Sequence, residues 1–106
     1  MPVIVIAAHR PKPGQDNDLL ACVKDHMPTL RSQGLITDRA PVFARAEDGT
    51  VIEIFEWKSQ EAIDEAHCNP VVQELWQRFA QCSQYIAPAE VPGFTNPFPG
   101  LEPIDA

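Results

Sequence analysis

Seven side chains in this sequence are of types that act on small molecules: His9, Glu53, Phe55, Trp57, His67, Trp76 and Phe79. His67 falls one helical turn after Ile63, on the inner side of its segment. An imidazole there can bind a ligand or carry a proton as a catalytic group. It can equally pin a helix break by bonding to backbone. Trp57 and Trp76, with Phe55 and Phe79, are able to wall a substrate-binding pocket; ordinary core packing accounts for them as well. His9 closes the first apolar run, at the mouth of such a pocket or simply in solvent. Glu53 stands between Val51 and Phe55 in an apolar strand, where a carboxylate needs a partner or a raised pKa. It reads as a pocket acid/base or, preferably, as a dimer-interface group bonded to an arginine.

Other chemistries find no support. The histidines at 9, 26 and 67 show no HxxxH or HxH spacing, and no cysteine pair accompanies them, so no metal is expected. Cys22, Cys68 and Cys82 lack CxxC spacing and read as buried or half-buried free thiols. The five glycines are scattered, which leaves no phosphate-cradling loop, and no cofactor is expected. The net charge is -7 with only 8 lysines and arginines, unclustered; this argues against nucleic acid and anionic membranes. The opening MPVIVIAAHRP is too short an apolar run for a signal peptide or a membrane span. It reads as a strand of a cytoplasmic protein.

The elements that position these groups follow from periodicity. Val3 to His9 is a strand, followed by the turn-rich RPKPG. A helix runs from Asp16, its expected cap, to Ser32, with Leu19, Leu20, Val23, Met27 and Leu30 as its apolar stripe and Pro28 as a kink. Strand 2 spans about Ala40 to Glu47, and Asp48-Gly49 predicts a two-residue type I′ turn. Strand 3 is TVIEIFEWK. That turn places Arg45 opposite Ile52 and Phe43 opposite Ile54. It puts Val42, Ala44, Ala46, Val51, Phe55 and Trp57 on one face, and Phe43, Ile52 and Ile54 on the other. Ser59 caps a short helix, and Asn69-Pro70 restarts it as a second one carrying Val72, Leu75, Trp76, Phe79 and Cys82. Tyr85 to Ala87 is a fourth strand. Five prolines follow in the last nineteen residues, around Phe94, Phe98 and Leu101. Residues 89–106 therefore read as an extended tail that docks on its own or a partner subunit, after one domain at 1–88.

The order β-α-β-β-α-β is that of an α+β, ferredoxin-like fold: a four-stranded antiparallel sheet with helices on one face. The strand TVIEIFEW is apolar on both faces. The helices cover one, and the other calls for an identical sheet from a second chain, giving a homodimer. Charge introduced at Val51 or Phe55 is expected to break that dimer.

The segment FEWKSQEAIDEAHCNPVVQELWQRF, Phe55 to Phe79, resembles the signature region of antibiotic biosynthesis monooxygenase-like (ABM) domains, the dimeric α/β-barrel group. The likeness lies in W-x-S-x-E-A after strand 3, in A-H-x-x-P across a broken helix, and in the aromatic helix beyond. Lys12-Pro13-Gly14 also fits. The resemblance covers Val3 to Ala87 and implies a dimer with facing sheets and a small-molecule pocket between helices and sheet. Some members oxidise electron-rich aromatic molecules with O₂ and no cofactor; others degrade haem or handle small signalling molecules. His67 matches the helix histidine common in the family. Trp76 occupies the position of the axial histidine of the haem-degrading branch, which argues against haem. The expectation is a cofactor-independent monooxygenase-like protein for a small aromatic or conjugated molecule; the alternative is a non-catalytic dimeric binding or scaffold domain. An open space between helices and sheet favours the first, and a packed one the second.

Overall fold

The computed structural model describes all residues, Met1–Ala106. Its elements are β1 (Val3–Pro11), α1 (Asp16–Ser32), β2 (Val42–Arg45), β3 (Val51–Trp57), α2 (Gln60–Ala66), α3 (Pro70–Cys82), β4 (Ser83–Ile86) and β5 (Glu102–Pro103). The fold is α+β. One antiparallel sheet of five strands has the order β4-β1-β3-β2-β5. The fifth strand comes from the tail, which sequence periodicity leaves outside the sheet.

Local chemistry explains the element ends. Gln15 occupies the cap position of α1 and makes no side-chain cap bond. Asp16, the expected cap, lies with Asp18 in the first turn, where carboxylates suit the helix dipole. The Ser59 side chain accepts from the Ala62 N–H to start α2. The Asn69 carbonyl accepts from Val71 and Val72 to start α3, with Pro70 at its first position.

The hairpin between β2 and β3 differs from the expected one. A two-residue type I′ turn needs positive φ at both central residues, yet no non-glycine residue here has positive φ. Instead Gly49 N–H donates to Ala46 C=O at 3.0 Å, Gly49 takes φ 89°, and Ala46 N–H donates to Thr50 C=O at 2.9 Å. The loop thus holds three residues, a tight turn followed by a glycine bulge. The extra residue shifts the register by one, so Ala44 opposes Ile52, Phe43 opposes Glu53 and Arg45 opposes Val51. Every side chain of β2 thereby changes face relative to the expectation.

Phe43, Val51, Phe55 and Trp57, with Val5 and Ala7, face the helices. They join Leu19, Val23, Met27 and Leu30 of α1 and Val72, Leu75 and Phe79 of α3 in the core. Val51 and Phe55 are therefore interior residues and not the outer dimer surface proposed from sequence. The second face carries Ala8, Ala44, Ala46 and Ile52, and the chain's own tail covers them with Val91, Phe94 and Leu101. The tail leaves Ile4, Ile6 and Val42 about half exposed on that face. No helix is long and apolar enough to cross a membrane.

Candidate functional site

Three ionisable side chains meet in the interior. Glu53 lies on β3 with its side chain towards the helices. Its neighbour across β1 is Ala7, and His9 stands one pair further along the same face. The small Ala7 leaves space for the carboxylate, and a diagonal pair two residues away is within reach of long side chains. His9 Nε2–H donates to Glu53 Oε1 at 2.6 Å. From above, His26 of α1 donates through Nδ1 to Oε2 at 2.9 Å and to Oε1 at 3.1 Å. Glu53 and His9 are fully buried and His26 nearly so.

The neighbours fix the proton positions. Trp76 Nε1–H, an obligate donor, points at His26 Nε2 at 3.2 Å. His26 Nε2 is therefore the accepting nitrogen, and its ring carries the proton on Nδ1, towards Glu53. Burial alone pushes the Glu53 carboxyl up. The hydrogen bonds from His26 and His9 outweigh it and hold the group down at about 2, so Glu53 is a buried carboxylate at neutral pH. Phe79 packs the assembly in place, stacked on His9 at 4.7 Å and edge-on to His26 at 5.0 Å. Phe55 meets His26 from another side at 5.6 Å. His9 Nδ1 has no partner.

Beside this cluster a cavity of about 280 Å³ opens between helices and sheet. Val5, Ala7, Phe55, Trp57 and Trp76 form its apolar lining, and His26, His67 and Tyr85 complete it. That volume lies just under the ~300–1,000 Å³ usual for drug-sized ligands, and suits a smaller one. His67 and Tyr85 are exposed and stand at the mouth. His67 Nδ1–H donates to Ile63 C=O at 2.8 Å, closing α2, and its ring edge meets Trp76 at 5.2 Å. His67 thus closes the end of α2 and borders the cavity. Its Nε2 makes no hydrogen bond within the chain.

Of the residues singled out from sequence, Phe55, Trp57, His67 and Trp76 line the cavity. Phe79, His9 and Glu53 stand behind it. Two sequence readings are corrected. His9 is sealed in the core and not solvated, because β1 continues past it to Pro11. Glu53 is bonded to two histidines of its own chain and not to an arginine across an interface. His26 and Tyr85 were missed as site residues. The signal for His26 was present: it lies between Val23 and Leu30 in the apolar phase of α1, where a histidine needs a partner. No group of three His, Cys, Asp or Glu side chains is placed to hold a metal ion. Within the His9–Glu53–His26 cluster both carboxylate oxygens, His9 Nε2 and His26 Nδ1 are engaged with one another.

The arrangement amounts to a carboxylate that orients an imidazole and leaves the far nitrogen towards a hydrophobic cavity. Such a nitrogen is a base, provided the indole N–H that covers it moves aside.

No protein-family profile and no curated protein matches the chain. Among solved structures it is similar to Rv0793 from Mycobacterium tuberculosis, with a TM-score of 0.63 and 20% identity, over 87% of this chain and 99% of that one. At that identity the likeness is one of fold.

Proposed function

We propose that this chain is an ABM-like, ferredoxin-fold protein of the dimeric α/β-barrel group that binds a small planar aromatic or conjugated acid and deprotonates it for reaction with O₂ without a cofactor. The observation that carries the reading is the Glu53–His26 pair abutting an unfilled apolar cavity. A ligand O–H or acidic C–H displaces the Trp76 N–H from His26 Nε2. His26 takes the proton, and Glu53 stabilises the imidazolium that forms. The substrate anion then gives an electron to O₂ in a cavity whose lining is mainly apolar. Trp57, Trp76 and Phe55 hold the planar ring. His67, with its unengaged Nε2 at the cavity mouth, is placed to hydrogen-bond the ligand.

The oligomer in this proposal is a cytoplasmic homodimer joined through the open half of the second sheet face, at Ile4, Ile6 and Val42. About half of each of these side chains lies in water in the single chain, and burying them is favourable by roughly 25 cal/mol per Å².

The Trp76 cap on His26 favours a second reading, a binding domain whose base is never uncovered. An oxygen electrode separates the two, with 1,4-dihydroxynaphthalene as probe and its autoxidation subtracted. The enzyme reading predicts O₂ consumption above background that is lost in His26→Gln, with the fold retained by circular dichroism. Saturable binding without O₂ consumption supports the binding reading. Neither binding nor consumption refutes both.

A further inference from the structure

Away from the cavity, Cys22 of α1 and Cys82 of α3 face each other. Their sulfurs are 4.0 Å apart, and both residues are buried. They form the floor of a cleft of about 320 Å³ between the two helices, whose rim carries Gln15, Asp18, Arg78 and Gln81. A small oxidant can thus approach the pair although little of either residue is exposed. The third cysteine, Cys68, is exposed and belongs to no such pair.

We propose that Cys22 and Cys82 are a dithiol modification site that closes into a disulfide joining α1 to α3 when a peroxide enters the cleft. A disulfide requires the sulfurs to approach to about 2.05 Å, roughly 1 Å of travel for each. Cys82 is the last residue of α3, with Ser83 already extended after it, so the pair joins the end of one helix to the middle of the other. One thiolate attacks a peroxide oxygen, the O–O bond breaks, and the leaving oxygen departs as water. The sulfenic acid so formed is attacked by the second sulfur, an S–S bond forms, and a second water leaves. Two thiols lose two electrons and two protons, and one hydrogen peroxide becomes two waters. Burial and the adjacent Cys82 push the Cys22 thiol up to about 11; Arg78 acts in the opposite sense and Asp25 in the same. Closure is therefore slow at neutral pH and faster in alkali. The bond would tie together the helices that carry His26, one turn after Cys22, and Phe79, one turn before Cys82.

The test uses the full chain with Cys68→Ser, which removes the exposed thiol. The folded protein is treated with hydrogen peroxide at pH 9, denatured, alkylated with N-ethylmaleimide, and weighed by mass spectrometry. The proposal predicts a chain lighter by two hydrogens, with no adduct, a monomer on a non-reducing gel, and two adducts after dithiothreitol. Adding Cys22→Ser abolishes the loss of two hydrogens. Two thiols still open to alkylation, added oxygen without loss of hydrogen, or a disulfide between chains would each overturn it.

Discussion

Replacing Glu53 by glutamine keeps the volume of the side chain and removes its charge. The carboxylate accepts from His9 and from His26; a glutamine carbonyl accepts from one of them while its NH₂ faces the N–H of the other. The second histidine relieves that clash only by moving its proton to the far nitrogen, which for His26 breaks the bond from Trp76. A hydrogen bond to a charged group contributes about 1.5–3 kcal/mol. An independent figure follows from the carboxyl, held at about 2 in the folded protein against 4.5 ordinarily. That depression corresponds to roughly 3 kcal/mol of stability at neutral pH. Because the folded pKa lies below the unfolded one, this contribution is complete above about pH 4.5 and is lost as pH falls towards 2. At pH 3 about 2 kcal/mol of it has gone. Urea unfolding of the native protein and Glu53→Gln at pH 7 and pH 3 is the assay. The gap between them should be roughly 3 kcal/mol at pH 7 and about 1 kcal/mol at pH 3. A gap that is the same at both pH values would refute the buried carboxylate, since packing changes alone do not titrate.

Phe79→Ala should cost roughly 3–5 kcal/mol by the same assay, because a fully buried ring wedged against two imidazoles leaves a cavity that rigid strands cannot close. Ile6→Asp should convert the proposed dimer to a monomer by light scattering at micromolar concentration, while Asp64→Ala on a helix surface should not. Trp76→Phe keeps a ring and deletes the N–H over His26; it should tighten binding of a phenolic probe about 2- to 10-fold, the worth of one neutral hydrogen bond. The Ile104 amide, which donates to Phe43 C=O at 3.0 Å, should exchange far more slowly in hydrogen-exchange mass spectrometry than the amides around exposed Phe98.

What the sequence conveyed and what it did not divide along physical lines. The helix over Asp16–Ser32 was legible because its apolar stripe is local, as were the caps at Ser59 and Asn69-Pro70, where side chain and backbone lie within three residues. Asp48-Gly49 misled because the dipeptide serves both two- and three-residue hairpins. Only the backbone sign at Asp48 separates them, and one added residue exchanged the faces of β2. Glu53 and His67 stood out in the sequence, but His26 did not. His26 shares the apolar phase of α1, but which residue partners a buried carboxylate is set by which turn of α1 crosses β3, a tertiary fact. The tail's place on the second sheet face was equally non-local, since Val91, Phe94 and Leu101 meet strands some forty to ninety residues away in the chain.

The central claim is that Glu53 holds His26 as a base facing a cavity for aromatic acids. Long-range ¹H–¹⁵N spectra of the histidine rings, recorded at pH 7 during titration with 1-naphthol, test it most directly. The account predicts that His26 donates through Nδ1 to Glu53 and that its Nε2 resonance moves saturably as the phenol replaces the Trp76 N–H, with a smaller response from sealed His9. A His26 protonated at Nε2 in the free protein, or an Nε2 resonance unmoved by saturating naphthol, would contradict it.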